Sequence, residues 1–166
     1  MNEMNYHHQS LLKLIAFLLQ KTAKQTTLVS PNCEKVLSRF HSLSPPKISI
    51  YNFICIIDKI IGHDDSIWIT TVILIDRFVK MNPSIAITPN VIHKLLLSAV
   101  ITSTNFETDG SYTNATWSKL CGICIDELNI LEREFLFMLE FSIMITKEEF
   151  NHYNEEISKK VNFFVQ

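Results

Sequence analysis

The stretch Ile67-Trp-Ile-Thr-Thr-Val-Ile-Leu-Ile-Asp-Arg-Phe-Val79 constrains this chain more than any other. It is apolar nearly all round a helical wheel, and a helix of that kind must be wrapped by other helices. Its β-branched residues also fit a buried strand, but strands average about 5–6 residues and this run is far longer, so length decides for a helix. Asp64 or Asp65 caps it, Ser66 opens it, and Asn82-Pro83 ends it near Met81.

The rest of the chain supplies the wrapping. Residues 10–24 place Leu11, Leu12, Ile15, Leu18 and Leu19 on one stripe, with Ser10 as cap and Lys21 and Lys24 at the C-terminal end. This helix is expected to pack on the domain rather than on a membrane surface. Residues 26–47 read as a connector containing Pro31, Pro45 and Pro46, with a short helix near Glu34–Phe40. Ser49 starts a helix that Gly62 stops near Ile61, with Ile50, Phe53, Ile54, Ile57 and Ile61 inward.

Thr88-Pro89 restarts the chain as cap and first helical residue of a helix to about Glu107. Its Ser98, Ala99, Ser103 and Thr104 are small enough to let a neighbour approach closely. After a turn at Asp109-Gly110 come helices over Asn114–Cys121 and 125–141. A last helix starts at the capping box Thr146-Lys-Glu-Glu149. Only 3 glycines in 166 residues and 47% hydrophobic residues agree with one all-α bundle.

Composition also narrows function. A net charge of -2 gives no field for nucleic acid or anionic membrane, and no apolar run reaches the ~20 residues of a membrane span. The opening MNEMNYHHQS is polar rather than a secretory leader, so Cys33, Cys55, Cys121 and Cys124 are expected to be reduced, in an intracellular protein of the cytoplasm, the nucleus or both. The six histidines form no HExxH and no i, i+4 pair, so neither spacing points to a metal. The isolated glycines make no phosphate loop. Cys121-Gly-Ile-Cys124 has redox spacing, but it closes one helix and caps the next in box-like register with Glu127, without the strand that redox pairs follow. No enzyme, cofactor or small-molecule substrate is expected.

From Ser44 to Tyr153 the sequence resembles the single-box P/U-type cyclins. The resemblance rests on Ser44-Pro-Pro-Lys-Ile-Ser49, Ile75-Asp-Arg77, Tyr112-Thr-Asn114, Gly122-Ile123 and Glu127-Leu-Asn-x-Leu-Glu-x-Glu-Phe-Leu-Phe-x-Leu139, with Phe40-His-Ser42 upstream. It implies a five-helix cyclin box over 44–145, an N-terminal flanking helix and connector over 1–43, and a C-terminal helix and tail over 146–166. It further implies a regulatory subunit that binds and activates a cyclin-dependent protein kinase as a heterodimer. Carried over residue by residue, the kinase-binding positions are Glu132, Asn105, Phe106, Leu136, Phe141 and Ile143.

Two positions depart from the family pattern. Asn105 stands where a Lys is usual, which removes a charge and reach. Ile48-Ser-Ile-Tyr-Asn-Phe53 replaces the motif that docks Arg-x-Leu substrates, and leaves Asp76 without its frequent Arg partner. Arg77 or another basic residue is left to take that role. The alternative to an activator is a degenerate cyclin-fold scaffold or interaction module that does not activate a kinase.

Overall fold

The computed structural model describes residues 3–29, 38–108 and 112–164. Cys33, the turn at Asp109-Gly110 and most of the expected helix near Glu34–Phe40 lie outside them. Seven helices, with no strand among the described residues, follow in order: α1 (Glu3–Val29), α2 (Ile50–Ile61), α3 (Asp65–Met81), α4 (Ile92–Glu107), α5 (Asn114–Cys121), α6 (Ile125–Met138) and α7 (Lys147–Phe164).

The apolar-all-round helix is central, as its sequence requires. Ile67, Trp68, Ile69, Ile73, Leu74, Ile75 and Phe78 of α3 are all buried, and α3 touches α1, α4, α6 and α7. It shares the centre with α4, whose residues from Leu95 to Thr104 are buried without a gap. Ser98, Ser103 and Thr104 of α4 satisfy their hydroxyls on carbonyls one turn back in this dry setting, whereas Thr102 Oγ1 is buried without a partner. Ser103 Oγ donates to the Ala99 carbonyl at 2.8 Å, and Thr71 Oγ1 reaches across from α3 to Ser103 Oγ at 3.1 Å. Phe40, Phe78 and Phe135 fill one end, with Phe78 and Phe135 stacked at 5.4 Å between centroids and Phe40 edge-on to Phe78 at 5.4 Å.

Local chemistry explains the helix ends. Ser49 Oγ accepts from the Asn52 N–H at 3.2 Å, and Asp64 accepts from the Ser66 N–H at 2.8 Å. Gly62 and Gly122 close α2 and α5 in the left-handed conformation that favours glycine.

Six expectations are corrected. The first helix runs through its polar opening to Val29. Ser10 is therefore interior, donating to the Tyr6 carbonyl at 2.9 Å, and Lys21 and Lys24 precede the last turn. The described end of the expected connector helix, around Arg39 and Phe40, is a turn. Thr88-Pro89 opens a turn rather than a helix, with α4 beginning at Ile92. There Asn90 exchanges hydrogen bonds with Ser42, N–H to carbonyl at 2.9 Å and side-chain amide to carbonyl at 3.0 Å, which ties down the connector.

The last three corrections concern α6 and α7. Helix α6 stops at Met138, because Glu140 and Phe141 take left-handed backbones (φ 49° and 55°) and Asn82 Nδ2 satisfies the Met138 carbonyl at 3.0 Å. The capping box is half-formed. Thr146 Oγ1 accepts from the Glu149 N–H at 3.1 Å, but the Glu149 carboxylate is taken by Arg77. Likewise Cys124 makes no side-chain cap, and Glu127 pairs with Lys94 at 2.7 Å.

Candidate functional site

Helices α4 and α6 pack together and bring Asn105 beside Glu132, although 27 positions separate them. Asn105 Nδ2 donates to Glu132 Oε1 at 3.1 Å, and Asn114 Nδ2 donates to Glu132 Oε2 at 2.6 Å and to Asn129 Oδ1 at 2.9 Å. Two neutral amides therefore hold the carboxylate in one orientation. They leave part of its acceptor capacity unused, since a carboxylate has about four lone-pair sites. An amide at 105, unlike a lysine, brings no positive charge to Glu132, and Asn114, its closer partner, is also neutral.

Around this carboxylate is apolar surface. A cleft of about 430 Å³ is lined by Asn129, Glu132, Arg133, Leu136 and Phe141. Phe106 is 39% exposed and Phe141 is 56% exposed. Leu136 is half-buried, and Ile143 is half-buried against the core. The terminal helices turn elsewhere, with α1 on α2, α3 and α7, and α7 on α1 and α3. Neither covers these side chains enough to close the surface.

Phe141 is presented by a tight backbone path. Its N–H bonds the Leu136 carbonyl at 2.9 Å, closing the end of α6, and the Ile143 N–H bonds the Phe141 carbonyl at 2.9 Å. Phe137, also exposed, stands edge-on to Phe141 at 5.3 Å and enlarges the patch. Arg77 fixes the segment from below. It donates to the carbonyls of Ser142 and Met144, the latter at 3.1 Å, and grips both oxygens of Glu149 at 2.8 and 2.9 Å.

Asp76 finds its partner elsewhere. Lys80 lies at 2.6 Å and the Tyr153 hydroxyl donates to it. Burial would raise the Asp76 carboxyl, but the bonds from Lys80 and Tyr153 prevail and hold it below the usual range. Burial and Asp76 together push the Tyr153 phenol up. The Asp-Arg pair in the α3 motif thus works inside the protein, bolting α7 and the segment after α6 to α3.

Asn105, Phe106 and Leu136 lie in the last turns of α4 and α6, Phe141 and Ile143 in the segment that follows, and Glu132 midway along α6. Sequence reasoning missed Asn114, Asn129 and Phe137. Asn114 was quoted only as part of a motif, and its spacing gives no sign that its amide reaches another helix.

Residues 8–143 match the family model described as Cyclin. The chain belongs to the cyclin family. It is 35% identical over 155 residues to Cyclin-U4-1 of Arabidopsis thaliana, covering 90% of this chain and 76% of that protein. To Cyclin-P4-1 of Oryza sativa subsp. japonica it is 27% identical over 158 residues, 92% of this chain and 74% of that one. To the PHO85 cyclin PHO80 of Saccharomyces cerevisiae it is 32% identical over 108 residues, 65% of this chain and 37% of that one. It is a cyclin of the P/U type, with the all-α cyclin-box fold. Cyclins are regulatory subunits rather than enzymes, and the function that follows for this one is regulation of a cyclin-dependent kinase. No described helix is long and apolar enough to cross a membrane.

Proposed function

We propose that this cyclin binds and activates its kinase as a heterodimer, through the surface where α4 and α6 end. The observation that carries this reading is the open apolar patch of Phe106, Leu136 and Phe141 around a carboxylate held by Asn105 and Asn114. In the family, this surface covers the kinase's regulatory helix. Phe106, Leu136, Phe141 and Ile143 would pack on that helix, and Glu132 would accept N–H bonds from it. Apolar and aromatic anchors carry most of the energy of such contacts.

Activation is then a population shift. The cyclin binds the kinase conformation whose regulatory helix sits inward and whose Lys–Glu pair is formed, and so enriches it. The cyclin supplies no catalytic group to the kinase and acts without nucleic acid or a small-molecule substrate. The box spans 44–145, with α1 and α7 as its flanks. The free thiols of Cys55, Cys121 and Cys124 fit a site of action inside the cell.

Asn105 favours one rival, a scaffold that engages a kinase without activating it, because the usual cationic anchor is absent. Kinase activity with and without the purified cyclin separates the two, using a kinase related to PHO85, the kinase in the name of the yeast relative. The activator reading predicts stimulation by the native chain, and up to about tenfold tighter apparent binding for Asn105→Lys. Kinase rates that stay unchanged with both proteins, each confirmed as folded, would leave only the scaffold.

A further inference from the structure

We propose that His8, Asp58 and His63 form a binding site for a divalent transition metal, zinc by its ligand set, that joins α1 to the corner between α2 and α3. His8 Nε2 lies 2.9 Å from both oxygens of Asp58, and His63 Nδ1 lies 2.5 Å from Asp58 Oδ2. One ligand atom from each residue lies within 4.8 Å of the others. Local sequence spacing cannot reveal this trio, because 50 positions separate His8 from Asp58.

Three features mark the cluster as a built site rather than a surface coincidence. Asp58 is buried, and its charge partners among the described residues are two imidazoles, whose charge is optional. A bound cation would supply a permanent one. The outer partners are also in place. Asp65 holds His8 Nδ1, leaving Nε2 to face Asp58, and Trp68 Nε1 donates to Asp58 Oδ1 at 2.8 Å, leaving Oδ2 toward His63. Finally, His63 follows Gly62 in a second left-handed residue (φ 61°), which brings its ring to Asp58. That backbone is uncommon for a side-chain-bearing residue.

A tetrahedral zinc with bonds of about 2.0 Å spaces its ligands about 3.3 Å apart. To admit the ion, His8 Nε2 at 2.9 Å would part from Asp58 by about 0.4 Å, and His63 Nδ1 at 2.5 Å by about 0.8 Å, which its exposed side chain can give. Each histidine would ligate as neutral imidazole, with its remaining proton on the other ring nitrogen, His8 Nδ1 facing Asp65. Two nitrogens and one carboxylate leave a fourth position for water on the side where the His63 side chain is 62% exposed. Bound metal would make the docking of α1 depend on zinc. The inference is independent of the kinase-docking reading.

The test is titration of zinc alone into the metal-free, tag-free full chain by calorimetry, with the cobalt(II) absorption spectrum as a second readout. The expected result is one zinc per chain and a rise in Tm on zinc addition. His63→Ala, at an exposed position, should stay folded and bind at least about tenfold more weakly. Cys124→Ser should bind as the native chain does, since Cys121 and Cys124 offer the competing site. The proposal is overturned by no stoichiometric binding, by unchanged affinity in His63→Ala, or by a cobalt–thiolate band that disappears in Cys124→Ser.

Discussion

Arg77→Ala tests whether the docking surface depends on the clamp beneath it. The guanidinium makes four hydrogen bonds, two to carbonyls of the segment after α6 and two to Glu149 of α7. Its side chain is 17% exposed and that of Glu149 32%. An exposed ion pair contributes about 0–1 kcal/mol, whereas removing one partner of a buried pair costs about 3–5. This pair lies between those limits and contributes about 2 kcal/mol. The two carbonyls can turn to water and add a fraction of the 0.5–1.5 kcal/mol of an ordinary hydrogen bond. The expected loss is about 2–3 kcal/mol, or about 5–10 °C in Tm for a chain of this length. Thermal unfolding followed by circular dichroism reads the stability, and hydrogen exchange reads the segment. Amides from 139 to 145 should exchange faster in Arg77→Ala even well below its Tm. A loss under about 0.5 kcal/mol with unaltered exchange there would refute the clamp.

Other consequences follow from groups away from the patch. Burial lowers the His93 pKa, partly offset by the bond of Nε2 to the Ile48 carbonyl at 3.0 Å, while Nδ1 is buried without a partner. Its contribution to stability is therefore present above the ordinary value of 6.5 and lost as pH falls through the lowered folded value. Urea midpoints of native and His93→Gln proteins between pH 8 and 5 should converge as pH falls, and parallel curves would contradict this. Burial pushes the Cys121 thiol up to about 11, whereas Cys124 is exposed. Iodoacetamide at pH 8 should modify Cys124 well before Cys121, read by peptide mass spectrometry. At Gly122, φ is +66° with open space around an added Cβ, so Gly122→Ala should cost about 1–2 kcal/mol through backbone strain alone, measured by urea unfolding.

The sequence made the helical core legible because burial repeats with the helix period. The stripes of α2 and α6 and the full wheel of α3 each leave an unambiguous trace. Helix ends were legible where the cap is a local bond, as at Ser49, Asp64 and Gly62. They were not where a distant group decides. Asn90 is drawn to Ser42, Glu149 to Arg77 and Glu127 to Lys94, and none of these partners lies near in sequence. The candidate site shows the same division. Glu132 and the apolar residues came from a motif resemblance, whereas the amide brackets of Asn105 and Asn114 and the added ring of Phe137 needed the folded arrangement. Lys80 as partner of Asp76 also needed it, since Arg77 and Lys80 both lie within a helical turn of Asp76 and only the position of α7 distinguishes them.

The central claim is that a kinase covers the aromatic surface at the ends of α4 and α6. The most direct measurement is the Kd of the cyclin for its kinase, compared between native protein, Phe141→Ala and Phe163→Ala. Phe163 is the control. It is 83% exposed, and lies on α7 about 24 Å along the helix axis from Lys147. An anchor residue contributes about 2 kcal/mol or more, so Phe141→Ala should weaken binding at least about 30-fold while Phe163→Ala leaves it unchanged. Equal affinity for all three proteins, each folded, would contradict the account.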